Sequence, residues 1–429
     1  KLLAASIVSI ASLMLVPGIM AEQGWDGHDR SGKYAAADFA KMYLASCEPN
    51  AILFTNGDND TFPLWYVQEV ENFRTDVRVV NYMLSSGDWY VSQMGRKVYD
   101  SERLPLTINQ DFYKKEGGYV PVFERLDQAE LIDAIRFIED DNKGTRVPLQ
   151  SGEWIDYMPA KKLTLVIDKE AVIASGTVPI EDSAKIVDSM EWTIRQGGLF
   201  RNDLMLLDLV ATNNWERPIY FANPNSHSKV LNVDKYCHLE GVVYRFKPTI
   251  ATDYIQKIGG VNADRTYEVL MDENVRWGRL NEEDVIVDRE SARNAGMAKQ
   301  NYVRLAQALL KEHKYDSVIE VLDRGIELFP NNKFPFDYFM ISWADFYYKA
   351  GAIEKADELV NQIEDRYNED LAYYNSLNGD FTNEYQEDIQ EAIAVMQRLI
   401  QVTSQNNQEE RSKELEKTFY EHLSTFNLR

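Results

Sequence analysis

The fold is decided by residues 50–66, which read NAILFTNGDNDTFPLWY. The apolar run Ala51 to Thr55 predicts a buried strand. A helix is expected to begin near Pro63, because the N–H that proline lacks would have no partner at a first helical position. The turn between strand and helix carries Asp58 and Asp60. Ligands of open α/β sheets usually bind in the loops after strands, so this turn is the first candidate site.

The flanking segments predict an α/β layer around this stretch. Ser31 can cap a helix that ends before Pro49, and Val77 to Tyr82 is rich in β-branched residues, as strands are. Alternating helices and strands with short connections imply parallel strands. We therefore expect an α/β domain over residues 23–290, with a mostly parallel, Rossmann-like sheet. Its further predicted elements are helices at 126–141 and 203–211 and strands at 163–167 and 217–222.

The first residues predict a membrane segment. Leu2 to Ala21 contains no charge, and twenty helical residues at 1.5 Å each can cross a hydrocarbon core of about 30 Å. A signal peptide is the alternative, but the site ending at Ala21 is a poor cleavage sequence. We assign residues 1–22 to a transmembrane helix, the last span of a longer protein. Lys1 on one flank and Asp29 beyond the other place the soluble part outside the cytoplasm.

Composition limits the partners. The chain has 429 residues, 69 acidic against 46 basic, and a formal net charge of −23. Such a field repels phosphate backbones, and no local basic patch offsets it, so nucleic acid is not an expected partner. Cys47 and Cys237 can pair, stay reduced or be buried apolar groups, and the last interpretation is favoured.

Residues 291–429 predict an all-helical domain with a 34-residue repeat. Called from Lys299, the first copy puts small and apolar side chains on the packing positions of a tetratricopeptide-type helix pair, and a second copy begins at Asp337. Helices expected at 384–402 and 407–425 can cap the pairs. Surfaces of such repeats typically bind polypeptides, so a polypeptide partner is expected. The packing positions are Tyr302, Leu305, Ala306, Leu309, Val318, Leu322, Gly325 and Pro330, then Trp343, Ala344, Tyr347, Gly351, Ala356, Val360 and Ile363.

Polar residues next to predicted strands give the candidate ligand-binding residues. Asp58-Asn59-Asp60 has the D-x-D form with which many glycosyltransferases hold a divalent metal, although Asp60 can instead cap the following helix. Asp88 and Trp89 follow the second strand and are expected to converge with this turn. Asn213 and Asn214 precede a later strand, where they can bind a polyol or simply form a turn.

No nucleophile triad, HExxH, paired CxxC, Walker A or GxGxxG pattern is found in the sequence. These patterns therefore assign no catalytic residue, no cofactor and no metal site in this chain.

Long motifs resemble a known family. They read ILFTNGDNDTFPLWYVQEVENFRTDVRVVN from Ile52, GDWYVSQM from Gly87, DLMLLDLVATNNWERPIYFA from Asp203 and LEGVVYRFKP from Leu239. Together they resemble the soluble C-terminal part of a bacterial multi-spanning family, a domain of unknown function related to the GT-C protein O-mannosyltransferases.

The resemblance implies a glycosyltransferase that draws sugar from a lipid-linked donor. Its catalytic carboxylate would lie in an early extracytoplasmic loop that has no counterpart among these residues. This chain would then be an inner-membrane helix followed by a periplasmic, acceptor-binding region. The alternative is a non-enzymatic scaffold that binds envelope or secretion proteins through its helical repeats.

Overall fold

The computed structural model divides into two compact units. Ala36–Val275 forms the first, named here the α/β unit. Lys1–Ala35 and Arg276–Arg429 form the second, named the helical unit. The residues that the structure describes are 2–29, 31–114, 118–140, 142–224, 231, 234–251, 259–377 and 384–426.

The apolar N-terminal stretch is one helix, α1, which runs from Leu2 to His28. Its segment Leu2–Trp25 has a mean hydropathy of 2.2, and none of its most apolar window is buried. A helix of this length and composition can be a membrane anchor or a signal sequence. Lys1, the basic flank used to predict its orientation, lies outside the described residues.

The α/β unit contains short helices and strands in alternation. Its helices are α2 Ala35–Ser46, α3 Asp58–Glu71, α4 Asp88–Met94, α5 Gln110–Tyr113, α6 Leu131–Glu139, α7 Lys169–Ala174, α8 Arg201–Thr212 and α9 Ala263–Leu270. Its strands are β1 Ile52–Thr55, β2 Arg78–Asn81, β3 Tyr119–Pro121, β4 Ala129–Glu130, β5 Arg146–Pro148, β6 Trp154–Asp156, β7 Lys162–Val166, β8 Ser189–Thr193, β9 Gly198–Phe200, β10 Ile219–Phe221, β11 Cys237–Glu240, β12 Val243–Phe246 and β13 Gly260–Val261.

The main sheet has six strands in the order β13-β11-β12-β10-β1-β2. β1 pairs in parallel with both β2 and β10, so the predicted parallel pairing of the first two strands is confirmed. All residues of these three strands are buried, as expected for strands covered on both faces. The rings of Phe54 and Phe221 stack across β1 and β10 at 5.5 Å.

The main sheet is mixed, since three of its five pairings between described strands are parallel and two are antiparallel. β12 runs antiparallel to both β10 and β11. Only Gly241 and Val242 separate β11 from β12, and a connection this short can join only antiparallel strands. Gly241 has a φ of +68°, which glycine adopts without strain.

Helix α3 begins at Asp58, five residues before the predicted start at Pro63. The sequence prediction was wrong because it assigned the two aspartates to the turn, whereas they form the first helical turn. Thr61 helps to hold that turn, since its hydroxyl donates to the carbonyl of Gly57 at 2.6 Å. The helix ends at Asn72, whose backbone is left-handed.

Helix α8 lies in the core of the α/β unit, and Asp203 to Val210 are all buried. Cys47 and Cys237 are also buried, and both are free. Burial raises the pKa of the Cys47 thiol far above its usual value, so this sulfur is an unreactive packing group.

The described part of the helical unit contains further helices after α1. They are α10 Arg289–Lys311, α11 Tyr315–Leu328, α12 Ile341–Lys349, α13 Ile353–Ser376, α14 Gln386–Gln405 and α15 Glu409–Thr425. Consecutive helices pack as three pairs, α10 with α11, α12 with α13 and α14 with α15. The two last helices lie close to where the sequence placed them.

The repeat positions predicted from sequence lie mostly in the core of the helical unit. Tyr302, Trp343 and Tyr347 are among its largest fully buried side chains. Gly325 lies directly against Trp343, because a Cβ built on Gly325 would come within 2.3 Å of the indole ring. Gly351 ends its helix with a φ of +84°. The contact between Gly325 and Trp343 therefore joins the first helix pair to the second.

Candidate functional site

The carboxyl end of β1 is shaped by Asp60. Its carboxylate accepts the backbone N–H of Asn56 at 2.8 Å and that of Gly57 at 2.7 Å, one on each oxygen. These are N–H groups that a helix leaves without partners at its start. Asp60 therefore caps α3, and both of its oxygens are already engaged.

Asp58 differs from Asp60. It lies at the first position of α3, its side chain is exposed, and it forms no hydrogen bond or ion pair with another described residue. A carboxylate at a helix N-terminus is stabilised by the helix dipole. Of the two predicted aspartates, Asp58 is thus the one with oxygens available to a ligand.

A buried polar network joins β1 to β2 beneath this turn. The hydroxyls of Thr55 and Thr61 lie 2.7 Å apart, and the amide of Asn81 donates to Thr61 at 2.9 Å. Asn81 also accepts the N–H of Leu84 at 2.9 Å. Sequence reasoning missed these residues, although an asparagine that ends an apolar strand is a usable signal.

Asp88 and Trp89 begin α4, at the same edge of the sheet as Asp58, since β1 and β2 are parallel neighbours. Both are exposed, and Trp89 retains 54% of its accessible surface. Its ring meets that of Tyr90 edge-on at 5.5 Å. The structure therefore brings one carboxylate and one exposed indole to this edge beside Asp58.

Asn213 and Asn214 lie at the opposite edge of the sheet. They precede β10, which is parallel to β1, whereas Asp58 follows β1. Asn213 is buried and its amide donates to the carbonyl of Arg217 at 2.8 Å. Asn214 is exposed and has a φ of +39°, as in a tight turn. One site cannot include both the asparagines and the aspartates.

Three arginines hold the edge where Asn213 lies. Arg217 donates to the carbonyls of Asn50 at 2.8 Å and Glu102 at 3.0 Å. Arg78 is buried and donates to the carbonyl of Glu102 at 3.0 Å, while Arg74 donates to several carbonyls after α2. Burial, with the neighbouring Arg78 charge, lowers the pKa of Arg217 to about 10. These guanidinium groups link backbone segments that are far apart in sequence.

A second buried network connects β2 to α8. The hydroxyl of Tyr82 donates to the carboxylate of Asp203, which also accepts from Gln196 at 2.7 Å and from the N–H of Phe200 at 2.8 Å. Burial, followed by the charge of Asp203, raises the pKa of Tyr82 far above its usual value. This hydroxyl is a structural donor. An aspartate within the apolar run of α8 was the signal for it.

A buried ionic cluster lies on β11 and β12. Glu240 accepts from Lys247 at 2.5 Å, from the Tyr220 hydroxyl at 2.8 Å and from Asn262 at 2.9 Å. Burial alone would raise the pKa of Glu240, but the charges of Lys247 and Arg245 hold it below its usual value. The charges of Lys247 and Arg245 compensate the buried carboxylate, while Nε and Nη2 of Arg245 are buried without a hydrogen-bond partner among the described residues.

In the part of the chain that the structure describes, no group of three or more His, Cys, Asp or Glu side chains is arranged to hold a metal ion.

The helical unit carries a groove between α11, α12 and α13, with a volume of about 310 Å³. Its floor is apolar, with Ile326 and Leu359 among the lining residues. On its rim, Asp323 accepts from Tyr347 at 2.8 Å and from Lys355 at 2.5 Å. This groove can take a side chain of a bound polypeptide.

A family model described as TMEM260-associated domain 2 matches residues 36–265, more than half of the chain. The chain belongs to the TMEM260-associated domain 2 family. The match coincides closely with the α/β unit and includes both edges of the main sheet. No curated protein and no solved structure matches the chain.

Within the TMEM260-associated domain 2 region, the long sequence motifs contain many of the structural contacts described above. Asp60, Arg78, Asp203 and Arg217 all lie in those motifs, and each is engaged by backbone or buried polar groups. The exposed residues of these motifs include Asp58, Asp88, Trp89 and Asn214.

Proposed function

We propose that this chain is the extracytoplasmic, acceptor-binding region of a bacterial membrane protein O-glycosyltransferase. In this proposal, sugar is transferred from a lipid-linked donor by a membrane part that the chain does not contain. The chain is held at the inner membrane by α1, and both folded units lie in the periplasm. They bind the polypeptide that receives the sugar.

The observation that carries the proposal is the exposed apolar helix that precedes two folded units. Leu2–Trp25 covers 24 residues, or about 36 Å at 1.5 Å per residue, which exceeds a hydrocarbon core of about 30 Å. Its apolar window is 0% buried against the rest of the chain. Such a surface is stable in lipid, and it holds the units near a membrane where a lipid-linked donor is found.

The side chains at the edge of the sheet that follows β1 and β2 support a role in binding rather than in catalysis. Asp60 in the first turn of α3 and Asp203 in the first turn of α8 each accept backbone N–H groups. Asp58, Asp88 and Trp89 remain exposed at this edge. An indole beside carboxylates can contact a polypeptide or a sugar without any catalytic group.

We further infer that α10 to α13 are two tetratricopeptide-type helix pairs. Support comes from the 34-residue register, whose apolar positions are buried, and from Gly325, which admits Trp343 of the next pair. The groove beside Tyr347 would then receive part of the acceptor.

The test is made in cells that produce the natural protein with substitutions in this region. Trp89→Ala and Tyr347→Phe are compared with Trp25→Phe, a conservative change of an exposed side chain in α1. O-glycosylated peptides of the envelope fraction are counted by mass spectrometry, and the amount of the protein is measured by immunoblot. We expect fewer glycopeptides with the first two variants at unchanged protein level. Unchanged glycopeptides with all three would refute an acceptor-binding role.

The alternative is a non-enzymatic, membrane-anchored scaffold, which the groove of about 310 Å³ in the helical unit favours. In that case Tyr347→Phe would reduce the envelope proteins that co-purify with the chain, while the glycopeptides would stay the same.

A further inference from the structure

A second cavity lies within the α/β unit, away from the sheet edge described above. It is a partly open pocket of about 270 Å³ between the end of α4, the loop of residues 103–109 and α5, and Arg103, Asn109 and Gln110 on its lining are exposed. Ligand pockets for small molecules begin near this size. The polar side chains that line it include Arg103, Asn109, Gln110 and Tyr113.

Tyr113 carries a buried hydroxyl without a partner. The residue is 2% exposed, and its hydroxyl forms no hydrogen bond with any described part of the chain. Buried polar groups are nearly always paired, so an unpaired one beside a cavity indicates a missing partner. Burial raises the pKa of Tyr113 well above its usual value, which keeps this group a hydroxyl donor.

Among the described residues, the amide oxygens of Asn109 and Gln110 accept hydrogen bonds, and their N–H groups donate none. The oxygen of Asn109 accepts the N–H of Asp111 at 2.9 Å, and the oxygen of Gln110 accepts the hydroxyl of Ser92 at 2.9 Å. The amide of Gln110 lies over Gly95, where any Cβ would meet its nitrogen at 2.2 Å. The side chains of Asn109 and Gln110 thus offer N–H donors to the cavity, while the neighbouring carboxylate of Glu139 already accepts the backbone N–H of Asn109 at 2.9 Å.

Arg103 gives the cavity its charge. Among the described residues that line it, Arg103 alone is charged, and it forms no ion pair within the described ranges. The nearest negative group of α8, Asp208, is buried behind Thr107. Its carboxylate accepts the hydroxyl and the N–H of Thr107 and the N–H of Ile108 at 2.6, 2.9 and 3.0 Å, which compensates its charge.

We propose that this cavity binds a small carboxylate, held by Arg103 and by the N–H and O–H donors of Asn109, Gln110 and Tyr113. A guanidinium group with neutral donors around it matches the two acceptor oxygens of a carboxylate. The carboxylate belongs either to a free organic acid or to the C-terminus of a peptide. The inference does not depend on the proposed function.

Titration calorimetry of the full chain in detergent micelles tests the proposal. The probes are acetate, lactate and Gly-Gly, with amidated Gly-Gly, glycerol and sodium chloride at matched ionic strength as controls. We expect saturable binding of the carboxylates and not of the controls. Binding of Gly-Gly alone assigns the site to a peptide C-terminus, and binding of acetate or lactate assigns it to a free acid. Absence of saturable binding by every carboxylate, or equal binding of glycerol, overturns the proposal.

Two variants test the site itself. Arg103→Gln and Tyr113→Phe should each weaken carboxylate binding by about tenfold, because each removes one donor to a charged group. Unchanged affinity in both would place the binding elsewhere and contradict the proposal.

The melting temperature of the ligand-free protein provides a matched control. Tyr113→Phe should not lower it, because the hydroxyl that it removes has no partner. Tyr90→Phe should lower it by about 2–4 °C, because the buried hydroxyl of Tyr90 accepts the N–H of Asn81 at 2.9 Å. A loss in Tyr113→Phe as large as that in Tyr90→Phe would mean that the Tyr113 hydroxyl is satisfied by the core, and the proposal would fail.

Discussion

Asp58 and Asp60 are two residues apart in the first turn of α3, and the structure predicts opposite outcomes for their removal. Asp60→Ala deletes the acceptor of two backbone N–H groups, at 2.8 and 2.7 Å. Asp58→Ala deletes an exposed carboxylate that no described residue contacts. The pair therefore separates the structural role of the loop from any role in binding.

The expected loss in Asp60→Ala follows from its contacts. Hydrogen bonds to a charged group contribute about 1.5–3 kcal/mol each when buried, and loss of an N-cap costs about 0.5–2 kcal/mol. Asp60 is only half-buried, so we expect a total of about 2–3 kcal/mol in the free energy of unfolding. For a unit of this size that corresponds to a fall of about 4–12 °C in melting temperature.

Thermal unfolding followed by far-ultraviolet circular dichroism measures both variants under one condition. Asp58→Ala should melt within about 2 °C of the unmodified protein, since only its favourable position at the helix N-terminus is lost. Asp60→Asn should lie between, because it keeps one acceptor oxygen and loses the charge. Equal melting temperatures for Asp58→Ala and Asp60→Ala would refute the capping role of Asp60.

Three further changes have expected outcomes. Gly325→Ala should lower the free energy of unfolding by about 1–3 kcal/mol, because the added methyl group overpacks against Trp343. Gly296→Ala, at an open position of α10, should raise the free energy of unfolding by about 0.5–1 kcal/mol. Denaturant titration measures both changes, and the same sign for both would contradict the packing of Gly325 against Trp343. Burial raises the pKa of Asp208 to about 6, so the native state binds this proton more tightly than the unfolded state; stability from Asp208 is greatest below pH 4 and is lost as the pH rises through 6, by about 3 kcal/mol. Asp208→Asn should remove that slope from the difference between the two unfolding curves, and an unchanged slope would place the titration elsewhere. Arg217→Lys should cost about 2–4 kcal/mol, because an ammonium group cannot reach the carbonyls of Asn50 and Glu102 together; a melting temperature equal to that of the unmodified protein would rule out this bridging role.

Most elements of the fold could be predicted from local sequence. The strand at Ile52–Thr55, the neighbouring strand at Arg78–Asn81 and the helix at Arg201–Thr212 lie within a few residues of their predicted places. Hydrophobic runs and turn residues are local signals, and these segments contain strong ones. The start of α3 was misplaced because the partners of a capping carboxylate cannot be read from residue types alone.

The candidate site could be predicted only in part. Adjacent parallel strands do bring Asp58 and Asp88 to one edge of the sheet, as expected. Asn213 precedes a strand, as predicted. It lies at the edge of the sheet opposite Asp58, because β10 is parallel to β1 and Asp58 follows β1. The structural roles of the buried carboxylates Asp203 and Asp208 were not recognised from the sequence, because burial is a property of the packed chain.

Local sequence patterns predict an apolar N-terminal helix, an α/β unit built around residues 50–66 and a helical region with a 34-residue register. Each of these depends on contacts between residues close in the chain. The tertiary structure was needed to show that β10 pairs with β1 and that β12 runs antiparallel to β10. It was also needed to show that Asp60 caps α3 and that Asp58 is exposed. Strand order and side-chain engagement depend on pairing between segments such as Ile52 and Ile219, which are 167 positions apart, and no local pattern carries that information.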